Sequence, residues 1–220
     1  MTLQDALFEF EGEPSYLTSL FVGPNIWDAL TALDAFAATI THDIRGRVHP
    51  TAVIEGTVFM HETASIGPHA YIEGPAYIGP HAIVGPGAYL RGPVVLGPEA
   101  VAGHASEVKR SILLTGARAA HFNYVGDSIL GARVNLGAGV KLANFKTFGD
   151  EIVINGKPSG QRKFGAAIGD YCSVGCNAVL APGTVLGQHT IVYHGASVRG
   201  TIPARTVVKF KPELETAPLR

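Results

Sequence analysis

Large aliphatic residues recur every six positions from Val48 to about Pro203. The series opens Val48, Ile54, Met60, Ile66, Ile72, Ile78, Val84, Leu90 and Leu96, and continues through Ala102, Val108, Leu114 and Ala120. Within each block of six the fifth position is mostly small, with Ala at 52, 64, 70, 76, 82, 88 and 100, and the second and third are often Gly or Pro. Such a beat fits neither the 3.6-residue stripe of a helix nor the alternation of a free strand. With 27 Gly and 14 Pro in 220 residues, regular helices are excluded over this stretch. A hexapeptide repeat predicts a parallel β-helix instead. Short strands stack about 4.8 Å from their equivalents one coil away, the aliphatic side chain points inward, and small residues let the corners close. Three blocks make one triangular coil, so an all-β prism of about seven coils is expected over residues 48–203.

Residues 1–47 do not keep the beat. Asn25 is placed to cap a helix whose Ile26, Leu30, Leu33, Ala37 and Ile40 share one face. A helical cap over the first coil is therefore expected, since the end of a solenoid otherwise exposes its core and an unpaired strand edge; a small substrate-binding domain is the alternative. The six-residue register is expected to hold without interruption to Ala120. It then slips, because Ala120, Val125 and Leu130 are five apart, and the slip brackets His121, Phe122, Asn123 and Tyr124. The chain leaves the prism between Asn144 and Ala167. That excursion reads as a hairpin with a strand over Glu151–Asn155, a turn over Gly156–Gly160 and a return over Gln161–Phe164, an arm able to reach a neighbouring subunit. Ile168, Val174, Leu180, Leu186, Val192 and Val198 resume the repeat. Residues 204–220 form an irregular tail carrying Arg205, Lys209 and Lys211.

A net charge of −1 removes any bulk electrostatic case for nucleic acid or a membrane surface. Neither a signal peptide nor an apolar run of about 18 residues is evident. In the repeat register Cys172 points inward and Cys176 lies at a turn, so the two do not meet, and reduced thiols agree with a cytoplasmic protein.

Arg91 and Lys109 occupy the same block position one coil apart. Stacked about 4.8 Å from each other, like charges repel unless an anion sits before them. A phosphate meets that need, because Arg offers a fork and Lys a point charge; solvated cations or a salt bridge to Glu107 are the alternatives. His121 falls across a prism face roughly 17 to 20 Å wide from Lys109. Either both side chains lean inward, or they belong to different subunits that share a groove.

The segments LRGPVVLG at 90–97, HASEVKRSIL at 104–113, AHFNYVGDSILG at 120–131 and VNLGAGVKLANF at 134–145 resemble one enzyme group in particular. This is the acetyltransferase domain of the bifunctional N-acetylglucosamine-1-phosphate uridyltransferase/glucosamine-1-phosphate acetyltransferases. EIVINGKPSGQRKFGAAIGD at 151–170 is similar to the archaeal-type sugar-1-phosphate nucleotidyltransferase/amino-sugar-phosphate acetyltransferases and their short bacterial relatives. The resemblance implies a left-handed β-helix, a homotrimer with sites between subunits, and acetyl-CoA as acyl donor.

Residue by residue, the resemblance implies that Arg91 and Lys109 bind phosphate, His121 is the catalytic base and Asn144 orients the amine. Tyr124 and Asn135 match sugar contacts, and Lys163 matches a lysine supplied by another subunit. Cys176, His194 and Lys211 are the expected donor contacts. An amino sugar is largely an unreactive ammonium at neutral pH, and an imidazole is suited to keep its amine free for attack on the thioester. Direct transfer without an acyl-enzyme or a metal is expected. Phe145 stands where the bifunctional enzymes usually carry Tyr. The glycine-rich nucleotide-binding motif is absent from this sequence, so activation to a nucleotide sugar is not expected of it.

Two other readings stay open. GQHTIVYHG at 187–195 resembles the HxxxxHG of γ-class carbonic anhydrases, which share the prism and ligate zinc across subunits; no third His lies between His121 and His189. A catalytically idle solenoid that binds a sugar phosphate or a partner is the other.

Overall fold

The computed structural model describes residues 2–213 and 215–218. From Asp43 onward the chain winds as a parallel β-solenoid, the left-handed β-helix expected from the repeat and the resemblance. One of its faces is a ladder of nine strands running from Arg47–Val48 through Ser65–Ile66 to Ile191–Val192 and Val207–Val208. Nine coils replace the expected seven. Pairing starts early, at Asp43–Ile44 against Phe59–Met60, and persists into the tail, where Val207–Val208 adds to Ile191–Val192. No helix among the described residues is long and apolar enough to cross a membrane.

Inside the prism, the inward side chains form one continuous core, including Met60, Ile66, Ile72, Ile78, Val84, Leu90 and Leu96. The register slips sooner than the sequence beat indicates. Lys109 pairs with Arg91, but Ser111 pairs with Val94. Arg110 alone, in a left-handed conformation (φ 42°), turns the corner that Gly92 and Pro93 turn one coil earlier. From there Leu113 and Ala119 point into the prism core, where the unbroken beat would have put Leu114 and Ala120.

A second apolar cluster lies outside the prism. One face carries an outward row of one apolar side chain per coil, Tyr77, Val95, Ile112, Ile129, Ala167 and Val185, aligned by strand register. The amino-terminal segment covers this row with α1 (Leu3–Leu7), α2 (Ser15–Thr18), a 3-10 turn at Ser19–Phe21 and α3 (Asp28–Ala37). The expectation of a cap over the first coil is therefore wrong. The flank offers a longer apolar stripe than the end does, and each large side chain buried there contributes about 1.5–3 kcal/mol. Val48, Ala52 and Ile54 of the first coil stay only partly buried. The face expected on the helix is the buried one, with Ile26, Leu30, Leu33 and Ala37 inside. Capping is reversed: Asp28 Oδ2 accepts the Asn25 backbone N–H at 2.9 Å and its side-chain amide at 3.2 Å.

The excursion is a hairpin, tighter than expected. Val153–Ile154 pairs with Lys157–Pro158 around Asn155 and Gly156, both with positive φ, a sequence suited to a type I′ turn. Further out, Phe145 bridges to Lys163, and the Phe164 N–H donates to the Asn144 carbonyl at 3.0 Å. Ile152, Ile154 and Phe164 are buried in the flank cluster, so the arm folds back onto its own amino-terminal segment.

Candidate functional site

The corner that Arg110 turns is also where the charges gather. Strand register sets Arg91 beside Lys109, as their eighteen-residue spacing predicts. Each finds an internal carboxylate. Arg91 Nη1 donates to Glu107 Oε1 at 3.2 Å in an exposed pair, the contact that one sequence alternative named. Lys109 Nζ donates to Asp127 Oδ2 at 2.9 Å, with the two side chains only 16% and 2% exposed.

Asp127 follows the strand Tyr124–Gly126 and is a meeting point. Asn144 Nδ2 donates to its Oδ2, and Arg110 Nη1 stands 3.6 Å from its Oδ1. Arg110 is in turn held by α3: its Nε donates to Asp34 Oδ1 at 3.1 Å and its Nη2 to the Leu30 carbonyl at 3.3 Å. A Cβ added at Gly126 would lie 2.6 Å from the Tyr124 hydroxyl and 2.8 Å from Asn144 Nδ2, so both side-chain ends would have to shift. Burial raises the Tyr124 phenol above its ordinary value, and the carboxylates of Glu107 and Asp127 push it the same way.

A cleft of about 610 Å³ opens over this group, lined by Lys109, Arg110, Asp127, Phe145, Gln161, Arg162 and Lys163. Four cations face one carboxylate, which suits a multiply charged anion. The excursion supplies Arg162 and Lys163, so Lys163 lines a cleft of its own chain.

His121 lies elsewhere. It ends the strand Arg118–His121 at an exposed edge, and no hydrogen bond reaches its imidazole among the described residues. Backbone bonds from Phe122 to His104, Gly139 to His121, Asn177 to Ala138 and Gly195 to Cys176, of 2.9 to 3.0 Å, stack His104, His121, Ala138, Cys176 and the neighbourhood of His194 along one edge, one coil apart. Beside them, Phe122 adopts a left-handed conformation (φ 53°), and its ring meets His104 edge-on at 5.0 Å. From His121 the chain turns at Phe122 and runs through the strand Tyr124–Gly126 to Gly126, the register partner of Lys109, a path of at most roughly 17 Å. Within one chain, the imidazole and the cationic cleft stand at opposite ends of a face.

The other expected residues divide between these two places. Tyr124 and Asn144 stand beside the cleft, Asn144 through its bond to Asp127 and Tyr124 next to it over Gly126. Cys176 and His194 belong to the His121 edge, near whose lower end Lys211 follows Phe210, a ring that approaches Gly195. Asn135 joins neither; it lies on the nine-stranded face between Arg118 and Ser173. His189 sits on a third edge, stacked on Tyr171 at 4.9 Å, apart from His194. No group of three potential metal ligands occurs among the described residues. Asp127, Arg110 and Arg162 were not singled out from the sequence. Asp127 follows Tyr124 within the quoted motif, yet its turn position gave no sign that its side chain points inward.

The GMPPB C-terminal domain family matches residues 72–159. A bifunctional protein GlmU from Methanococcus maripaludis (strain C7) is 46% identical over 191 residues, covering 86% of this chain and 46% of that protein. A bifunctional sugar-1-phosphate nucleotidylyltransferase/acetyltransferase from Sulfurisphaera tokodaii is 40% identical over 96 residues, covering 42% of this chain and 24% of that protein. The chain thus spans about half the length, or less, of these curated relatives. Among solved structures, the UDP-N-acetylglucosamine acyltransferase from Campylobacter jejuni aligns with a TM-score of 0.47 at 16% identity, over 71% of this chain and 69% of that one.

Proposed function

We propose, on the premise that this chain is a GlmU-like protein of the hexapeptide-repeat acyltransferase type, that it transfers the acetyl group of acetyl-CoA to the amine of an amino-sugar phosphate. The cleft of four cations around a single buried carboxylate carries this reading. It offers a phosphate several charge-assisted hydrogen bonds, and Tyr124 and Asn144 stand beside it for the sugar.

In this reading Arg91, Lys109 and Lys163 bind the phosphate, and His121 takes the proton as the amine attacks the thioester carbon. The N–C bond forms, the C–S bond breaks, and coenzyme A leaves as the thiol. Imidazole titrates near neutral pH and is suited to that task. The edge from His121 through Cys176 and His194 to Lys211 spans roughly 19 Å over four coils, a rail along which the donor's extended arm can lie. Because one chain separates His121 from its own cleft by a face, the reading calls for a cytoplasmic homotrimer that sets the edge of one copy against the cleft of the next, with Asn135 reaching the shared groove from the adjoining face. The resident nucleotidyltransfer of the bifunctional relatives is no part of this proposal.

The test is acetyl-CoA consumption with glucosamine-1-phosphate and galactosamine-1-phosphate, comparing the parent with His121→Ala. Equal rates in both proteins, or none in either, remove His121 from this role. Mixing His121→Ala with Lys109→Ala chains tests the shared site, since mixed assemblies regain activity only if the two residues act across subunits.

A further inference from the structure

An acid in an anion-binding cleft opposes the anion, yet Asp127 is the carboxylate lining this one, with its side chain 2% exposed. What it supplies in return is orientation. An ionised carboxylate only accepts hydrogen bonds, so the amide of Asn144 must present Nδ2 to it. That fixes the otherwise ambiguous flip of Asn144 and leaves its carbonyl oxygen as the end free to accept from an amine. Lys109 gives one N–H to the same oxygen of Asp127 at 2.9 Å, and its other two donors stay available to the cleft. Arg110, braced by Asp34 and Leu30 of α3, closes the opposite oxygen at 3.6 Å, so the carboxylate cannot swing toward the ligand.

We propose that Asp127 is a positioning residue of the acceptor site, which turns the Asn144 carbonyl toward the acceptor's amine. The inference rests on the amino-sugar-phosphate reading. It separates two properties that a merely structural or charge-balancing residue would move together, namely affinity for phosphate and preference for an amine.

The experiment is calorimetric titration of the full chain with inorganic phosphate, glucosamine-1-phosphate and glucose-1-phosphate, together with acetyl-transfer kinetics, for the parent and Asp127→Asn. In the variant inorganic phosphate binds about threefold more tightly, because the cleft loses a negative charge. The parent's preference for glucosamine-1-phosphate over glucose-1-phosphate falls roughly tenfold, and kcat falls by at least that factor. The double variant with Asn144→Ala is no worse than Asn144→Ala alone, as expected if Asp127 acts through that amide. If Asp127→Asn does not fold, Asp127→Glu keeps the charge and displaces it, and loses the amine preference with unchanged phosphate affinity. A variant with unaltered preference and kcat, or one that loses affinity for all three ligands equally, overturns the proposal while the parent's activity stands. A parent that binds no sugar phosphate overturns the reading beneath it as well.

Discussion

The cleft and the edge are built from the same coils and differ in almost every physical respect. At the cleft, polar and charged side chains are largely buried and tied to one another: Lys109 and Asn144 to Asp127, and Arg110 to Asp34. At the edge, His121 is exposed and its ring is unanchored, with neighbours related only by the stacking of coils. A cleft whose groups are already held can bind an anion with little further loss of side-chain entropy. An imidazole left open to water needs something else to orient and desolvate it before it can act as a base. The difference teaches that one copy of this chain holds a pre-organised cationic cleft apart from an exposed imidazole, and the proposed transfer would need a second copy to bring the two together.

His121→Ala bears hardest on that contrast. It is expected to lower kcat for acetyl transfer by about 10²–10⁴-fold while leaving the affinity for glucosamine-1-phosphate within about threefold of the parent. A matching loss of affinity would mean that edge and cleft are not functionally distinct.

Next in size is the flank that supports the cleft from behind. Ile112→Ala removes a fully buried side chain between the prism and the amino-terminal segment, and denaturant unfolding should show a loss of about 2–5 kcal/mol. The same substitution at the partly buried Ile54 should cost markedly less.

Within the cleft, Lys109→Ala should raise the KM for the acceptor roughly tenfold or more and also destabilise the fold, since Asp127 is left buried with fewer partners. Arg91→Ala removes an exposed pair with Glu107, so its effect on stability should be within about 1 kcal/mol. Steady-state kinetics and thermal unfolding of the two variants, read side by side, distinguish a buried cation from an exposed one.

The smallest expected effect concerns pH. Asp170 is fully buried and clamps the amino-terminal segment to the solenoid by accepting the Glu9 N–H at 2.6 Å and the Ala132 N–H at 2.7 Å. Burial pushes its carboxyl up to about 6, the two N–H donors oppose that shift, and Glu9 and Glu13 reinforce it. The folded state therefore holds this proton more tightly than the unfolded chain does. The stability gained from that proton is complete below the ordinary carboxylate value and is lost as pH rises through about 6. Melting temperatures between pH 4.5 and 7 should fall more steeply in the parent than in Asp170→Asn; equal slopes would refute the assignment.

Much of this was legible beforehand because the inward residues repeat on a fixed beat. Ile66, Ile72 and Ile78 disclose the prism wherever each coil has its full complement of residues, and Arg91 and Lys109 follow from the same count. The beat fails where a corner is made by one residue in place of two, as at Arg110, because a missing residue leaves no mark until the pattern has already shifted. The outward row was equally hidden. Val94, Val95 and Leu96 read as one apolar run, and a count of the inward first and fifth positions passes over Val95 between them.

The sequence by itself determined that the chain coils, roughly where it leaves the coil, and that its cations recur one turn apart, since each of these depends on spacing along the chain. Only the tertiary structure decided that the amino-terminal helices lie along a flank, that Asp127 points inward among Lys109, Arg110 and Asn144, and that His121 stands a face away from them. Those outcomes depend on which side chains from separate coils meet around one corner, and that is set by packing and charge pairing across the fold.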